Sequence, residues 1–217
     1  MPGIQDIVRW GRRVYLTVQR RFRAVVDVAR FWWQVRSHAD LRIVVGSSGK
    51  YQPGWIPTDR EYLDLLIPKH WRRAFGTRRA SVILAEHVFE HLTEAEGEQA
   101  IGVCAQYLKP GGYLRVAVPD GYCPDPRYIN YVKPGGTGSG SDDHKVLYNV
   151  DTLTSAMLRC GLVPEPLEWY SSQGAFSFKD WDPTSGLIER SRRFDERNAG
   201  GRLAYTSLIV DGRRPAD

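Results

Sequence analysis

The sequence predicts an α/β fold in which a mostly parallel sheet follows a helical extension. Three short apolar runs, at residues 41–45, 81–85 and 113–118, have the composition of buried strands. Segments with helical periodicity separate these runs, and glycine, proline or charged residues follow each of them. Strands that alternate with helices along a chain are typical of this architecture.

The positive charge is concentrated near the N-terminus. Of the formal net charge of +5, residues 1–38 supply eight arginines against two aspartates, a net of +6, which leaves 22 basic and 23 acidic residues, a net of −1, for the rest. A catalytic face that binds nucleic acid needs basic patches to neutralise phosphates. A nucleic-acid partner is therefore not expected, except through the N-terminal segment.

Residues 1–38 are predicted to be a basic amphipathic helical extension, and residues 39–217 the main domain. Apolar residues recur every three or four positions from Ile4 to Trp32, along one side of a helix. This face could pack on the domain or on a second subunit in a homodimer. Arginines beside an apolar, tryptophan-bearing face also suit peripheral contact with an anionic membrane.

The cysteine content and the hydropathy pattern indicate a cytoplasmic protein. Cys104, Cys123 and Cys160 are widely spaced and form no C-x-x-C pair, which fits a reducing compartment without a disulfide framework. No apolar run approaches the length of a membrane span, and the N-terminus lacks the apolar core of a signal peptide.

The first predicted strand ends in the turn Gly46-Ser47-Ser48-Gly49. Glycine can adopt positive φ and lets a ligand approach the backbone, and Ser47 adds a hydrogen-bonding group. The turn matches neither G-x-G-x-x-G nor a phosphate-binding loop, which counts against nucleoside triphosphates. A second short extended segment, residues 55–59, ends in Asp59, in the place of an acid that binds ribose hydroxyls.

The elements between the strands follow from capping and breaker residues. Helices are expected at 61–67 and 69–75, on either side of Pro68. Thr93 and Glu96 form a capping box for a helix that runs to residue 108, where Lys-Pro-Gly-Gly at 109–112 is expected to turn the chain.

The C-terminal half is predicted to carry the substrate side of the domain. The glycine- and proline-rich stretch 123–143, within a substrate-side loop at 121–149, is interpreted as a lid, because long loops in compact domains are usually functional. A helix is expected at 150–160, with Asp151 as N-cap and Gly161 after its end. Strands at 162–170 and 203–210 flank a pocket-shaping insertion at 171–201.

Three segments carry a resemblance to a known family. GSSGKYQPGWIPTD from residue 46, AEHVFEHL at 85–92 and LKPGGYLRVAVPDGY at 108–122 resemble successive motifs of class I S-adenosylmethionine-dependent methyltransferases, especially bacterial sugar O-methyltransferases. The resemblance covers about residues 41–161 and implies a Rossmann-like sheet closed by an antiparallel C-terminal strand. It also implies S-adenosylmethionine as cofactor and, as acceptor, a small carbohydrate, such as a mannoside, or a glycolipid.

The resemblance also assigns the cofactor-binding residues. The glycine turn is expected to contact the cofactor, the acid after the second strand its ribose, and the segment after the third strand its methionine part. These residues are Gly46, Ser47, Gly49, Asp59, Glu86 and His87.

A hydroxyl acceptor must lose its proton, which requires a general base, a metal ion or both. His144 is the preferred base because it follows the glycine-rich loop and has two acids beside it that could orient its ring, although a surface histidine in a turn remains the alternative. Asp120, at a strand end, and Asp143 are further catalytic candidates. Asp120 with Asp142 or Asp143 could also hold Mg²⁺, while Pro-Asp-Gly around Asp120 is equally a turn signature.

The segment His87-Val88-Phe89-Glu90-His91 also matches a zinc-hydrolase pattern. That chemistry needs both histidines on one helical face, whereas here the motif follows a strand directly, so zinc is the less favoured interpretation. The alternatives to a sugar O-methyltransferase are an RNA or protein methyltransferase and a non-catalytic cofactor-binding scaffold.

Overall fold

The computed structural model describes residues 26–47 and 52–216. The chain divides into two compact units, Met1–Ala39 and Asp40–Asp217. In the first unit, residues 26–37 form helix α1, while the rest of the predicted N-terminal helix lies outside the described residues. No helix in the described part has both the length and the apolar character needed to cross a membrane.

Within the described ranges of the second unit, seven strands form one sheet. They are β1 (Arg42–Val45), β2 (Ile56–Pro57), β3 (Ala80–Glu86), β4 (Leu108–Val118), β5 (Val163–Tyr170), β6 (Phe176–Phe178) and β7 (Leu208–Arg213). Their spatial order is β2-β1-β3-β4-β7-β5-β6. The first four in this order are parallel, and β7 is antiparallel to both of its neighbours. This confirms the predicted Rossmann-like sheet of class I methyltransferases with its antiparallel C-terminal strand.

Four further helices connect the strands: α2 (Pro68–Phe75), α3 (Glu94–Tyr107), α4 (Pro126–Val132) and α5 (Val150–Arg159). The capping box that begins α3 is confirmed, since the side chains of Thr93 and Glu96 each accept from the other's backbone amide. For α5 the predicted cap at Asp151 is wrong. Asn149 is the N-cap, because its Oδ1 accepts from the Thr152 amide at 2.9 Å, and Asp151 already lies inside the first turn.

The helix predicted at residues 61–67 is wrong. These residues form turns, because the carboxylate of Asp64 accepts from the Leu66 amide at 2.8 Å and holds a local turn.

Residues 109–112 end the preceding helix as predicted, and they form an irregularity within β4. Leu108 pairs with Ala80 but Tyr113 with Val82, and Gly111 has a φ of +75°. A Cβ on Gly112 would lie 2.8 Å from the carbonyl oxygen of Ser81, so glycine here permits close approach of β3.

A buried ion pair joins the antiparallel strand to the parallel part of the sheet. Arg115 on β4 and Asp211 on β7 are paired in register, and two hydrogen bonds of 2.7 and 2.8 Å join the guanidinium to the carboxylate. The same guanidinium donates to the carbonyl of Gly186 at 2.6 Å, which fixes the 171–201 insertion against the sheet. Both charged side chains are almost fully buried.

We expect Asp211→Asn to lower the free energy of unfolding by about 3–5 kcal/mol, because it leaves the Arg115 charge buried without its partner. Urea denaturation measures this loss. Asp180→Asn is the matched control, since Asp180 pairs with Arg192 at 3.3 Å but is exposed, and exposed pairs contribute little. Equal stability losses in the two variants would contradict the importance of the buried pair.

Candidate functional site

A cavity of about 580 Å³ opens at the carboxyl ends of β1, β3 and β4. Ligands of open α/β sheets bind outside these strand ends. Its wall includes the turn after β1, the segment after β3, residues 138–141 of the predicted lid, His144 just after the lid, and parts of residues 187–205. The cavity therefore lies between the predicted cofactor turn and the predicted catalytic loop.

Gly46 lines the cavity and cannot be replaced without strain. Its φ is +62°, and a Cβ at this position would lie 2.6 Å from Cγ2 of Val88. Ser47, also in the wall, is buried and its amide donates to the Thr58 carbonyl at 3.0 Å. The other turn residue expected to contact a cofactor, Gly49, lies outside the described residues together with Ser48.

Asp59 lies at the same sheet edge as the glycine turn. Strand β2 pairs in parallel with β1, with Val44 opposite Pro57, and the Thr58 amide continues the pairing by donating to Val44 at 2.8 Å. Asp59 follows Thr58 directly and so lies near the carboxyl ends of the strands, but it is not among the residues that line the cavity.

His87, the residue after β3, is held in a strained backbone conformation. Its φ of +55° is the only positive value for a non-glycine residue in the part of the chain that the structure describes. Its ring lies between Oε1 of Glu90, 2.8 Å from Nδ1, and Oγ of Ser207, 3.0 Å from Nε2. The predicted contact residue is thus a fixed part of the cavity wall.

Ser207 links His87 to the segment that covers the cavity. Its hydroxyl donates to the carbonyl of Arg190 at 2.8 Å, and its Oγ also lies 3.0 Å from Nε2 of His87. The ring of His87 is therefore held from two sides, by Ser207 and by Glu90.

Glu90 is a buried carboxylate, only 1% exposed. Burial alone raises its pKa, but the interaction with His87 outweighs burial and holds the pKa below its ordinary value, so the group is ionised at neutral pH. Its Oε2 has no hydrogen-bond partner among the described residues. A charged oxygen in this position is costly unless something else neutralises it.

His144, the preferred base from the sequence, is placed in the cavity wall. Its Nδ1 lies 2.7 Å from the carbonyl oxygen of Val132, which can only accept, so Nδ1 carries the proton and Nε2 a lone pair. The rings of His144 and His91 meet edge to face, 4.9 Å between centroids. Nδ1 of His91 lies 3.2 Å from Oδ2 of Asp143.

Asp120 is in a structural position. It does not line the cavity, is fully buried, and accepts from the amides of Tyr122 at 2.9 Å and Tyr170 at 2.7 Å, one at each oxygen. Burial raises its pKa to about 6. The contacts explain why β4, the following turn and the end of β5 stay together.

The predicted magnesium ligands are not brought together within the described ranges. Asp120 is engaged as described, while Asp142 and Asp143 are exposed. The one group of side chains with metal-binding spacing there is instead Glu90, His91 and His144. The sequence offered Glu90 and His91 only as part of the less favoured zinc-hydrolase pattern with His87, because the short helix Phe89–His91 and its contact with His144 could not be foreseen.

Glu86, expected near the methionine part of the cofactor, lines the cavity but is already engaged. Its carboxylate accepts from the amides of Glu189 at 3.1 Å and Arg190 at 2.8 Å. Burial raises its pKa. Glu86 therefore anchors the 188–191 segment over the cavity.

No family model matches the sequence, and no curated protein matches it as a relative. Solved structures similar to the chain include an O-methyltransferase family protein from Burkholderia thailandensis, at 14% identity, TM-score 0.49, covering 87% of this chain and 56% of that one. The CurJ carbon methyltransferase has 15% identity and TM-score 0.48, and the match covers 82% of this chain and 49% of that one. A methyltransferase from Archaeoglobus fulgidus has 14% identity and TM-score 0.40, and the match covers 92% of this chain and 99% of that one. The chain thus spans about half the length of the first two, and function remains a proposal.

The raised pKa of Asp120 predicts a pH-dependent stability. Between pH 3.8 and about 6 the folded state holds a proton that the unfolded state releases, so the contribution of Asp120 is complete below pH 3.8 and lost as pH rises through 6. The loss amounts to about 2–3 kcal/mol. We expect the difference in unfolding free energy between the native protein and Asp120→Asn to shrink by this amount from pH 4 to 7 in urea titrations. A difference that does not change with pH would contradict the prediction.

Proposed function

We propose that this protein is an S-adenosylmethionine-dependent methyltransferase that methylates a hydroxyl of a sugar or oligosaccharide, with a mannoside as the first candidate. The acceptor would be an intermediate of polysaccharide or glycolipid synthesis. The observation that carries the proposal is that the Gly46 turn and His144 both lie in the wall of the same cavity. Donor and acceptor must meet in one such space for methyl transfer.

The residues present fit the cofactor. Gly46 lies in the cavity wall and has no side chain, so a bound molecule can closely approach the backbone there. Asp59 follows β2 at the same edge, where an acid can accept from ribose hydroxyls. The volume of about 580 Å³ is within the range of small-molecule sites.

When bound, S-adenosylmethionine supplies a methyl group that an acceptor oxygen attacks, with the C–O bond forming as the C–S bond breaks and its electrons return to sulfur. The hydroxyl proton must leave. Glu90, His91 and His144 lie together in the cavity wall, where a side chain can accept this proton. Nε2 of His144 has the lone pair this requires.

The remaining wall suits a polar acceptor. Arg190, Arg197 and Gln52 bring hydrogen-bonding groups to the cavity, and Tyr131 and Tyr205 bring aromatic faces. Sugars present hydroxyls at their edges and apolar C–H faces, which match this mixture. The composition of the wall therefore supports a carbohydrate hydroxyl as acceptor.

We expect the protein to bind S-adenosylhomocysteine with a micromolar dissociation constant in calorimetric titrations. Asp59→Asn should weaken binding at least tenfold, because it removes the charge facing the ribose, and Gly46→Ala should weaken it further through the clash with Val88. Glu61→Gln, an exposed carboxylate two residues from Asp59, is the matched control and should bind like the native protein. Absence of binding in the native protein would refute the proposal.

For the acceptor, we expect transfer of a radiolabelled methyl group to mannosides or related glycosides, and none to RNA or basic proteins. Transfer only to RNA or only to protein would contradict a sugar acceptor and show that the acceptor is RNA or protein. Cofactor binding without transfer to any acceptor would favour a scaffold role instead.

A further inference from the structure

Two separate segments meet in the cavity wall and bring three metal-ligating side chains together. Glu90 and His91 belong to the short helix after β3, and His144 lies more than fifty residues later. The amides of Lys145 and Val146 both donate to the carbonyl of Glu90, at 2.7 and 3.3 Å, and so hold the segments in contact. One ligand atom from each of the three side chains lies within 4.8 Å of the other two.

The carboxylate of Glu90 lacks the partners that a buried charge requires. Oε1 contacts Nδ1 of His87, but Oε2 has no hydrogen-bond partner among residues 26–47 and 52–216, although it is buried. Glu90 lines the cavity together with both histidines. A cation bound there would satisfy the uncompensated oxygen.

His144 has the supporting contact typical of a metal ligand. A ligating histidine usually gives its other ring nitrogen to a carbonyl or carboxylate, which fixes the ring. His144 does so through Nδ1 and the carbonyl of Val132, at 2.7 Å, which leaves Nε2 for an ion. Nδ1 of His91 lies 3.2 Å from the carboxylate of Asp143 but, among the described residues, makes no hydrogen bond.

From these contacts we propose that Glu90, His91 and His144 bind one divalent transition-metal ion, such as Zn²⁺ or Mn²⁺, in preference to Mg²⁺ or Ca²⁺. Two imidazoles and one carboxylate are donors for transition ions, whereas Mg²⁺ and Ca²⁺ prefer all-oxygen sets. Without an ion, the three ligand atoms lie within 4.8 Å of one another. Atoms bonded to one ion at about 2.0–2.2 Å lie closer together than this, so a bound ion would draw the three side chains inward.

The ion leaves room for a further ligand on the cavity side. Three protein ligands leave at least one position open, which is the arrangement of a catalytic rather than a purely structural ion. With Nε2 of His144 bound to the ion, the ion and not the histidine would activate an acceptor hydroxyl in that position, which would lose its proton to solvent more readily; this use of the ion rests on the proposed methyl transfer. Metal binding itself does not depend on that function.

The test uses full-length, tag-free protein stripped with EDTA. Calorimetric titrations with Zn²⁺, Mn²⁺ and Mg²⁺ should show one transition ion per chain, bound at least tenfold more tightly than Mg²⁺. His91→Gln and His144→Gln should each weaken Zn²⁺ binding at least tenfold. Glu94→Gln, an exposed carboxylate three residues from His91, is the control and should bind as the native protein does.

A second measurement guards against variants that fail to fold. The native protein loaded with Co²⁺ should give visible absorption bands of a nitrogen- and oxygen-ligated ion, and excess Zn²⁺ should remove them. No binding of any transition ion below about 0.1 mM, or Zn²⁺ binding by both histidine variants as tight as that of the native protein, would overturn the proposal. S-adenosylhomocysteine binding is measured on the same samples: cofactor binding without metal refutes only the metal site, and metal without cofactor refutes only the proposed function.

Discussion

Backbone hydrogen bonds to the carbonyl of Glu90 hold the candidate site together. They tie the segment after β3 to the end of the glycine-rich loop, and they place His144 beside Glu90 and His91. These hydrogen bonds join backbone to backbone, so they do not depend on what the side chains of Glu90, His91 and His144 bind. The rest of the cavity is arranged around this junction.

The sheet supplies the opposite wall. Because β1, β3 and β4 are parallel, their carboxyl ends meet at one edge and bring Gly46, His87 and Pro119 to the same cavity. The strained backbone of His87 persists because its ring is fixed at both nitrogens, by Glu90 and by Ser207. Ser207 immediately precedes β7, so the antiparallel strand contributes to the site as well as to the fold.

The parallel strands β1, β3 and β4 were predictable because apolar runs that alternate with helical periodicity leave little choice of architecture, whereas β6 lies inside the segment predicted as an insertion. The cap of α3 was equally predictable, since Thr93 and Glu96 make a purely local interaction. Proline and glycine at 109–112 correctly signalled the end of α3, but the pairing of Leu108 with Ala80 ahead of these residues could not be read from them. Strand pairing is tertiary and does not appear in the local sequence.

The site was predictable only in part, for the same reason. His144 could be singled out from its loop, but its association with Glu90 and His91 depends on a contact between residues more than fifty positions apart. The surroundings of Asp120 could not be read from the sequence, because a strand-end carboxylate can either face a ligand or accept backbone amides. The amides of Tyr122 and Tyr170 that engage it come from other segments.

A crystal structure of the full-length protein grown with S-adenosylhomocysteine would test the central claim most directly. Our account predicts the ribose beside Asp59, the backbone of Gly46 against the ligand, and the sulfur atom directed towards Glu90, His91 and His144. A ligand bound outside this cavity, or one whose sulfur atom faces away from these three side chains, would contradict it.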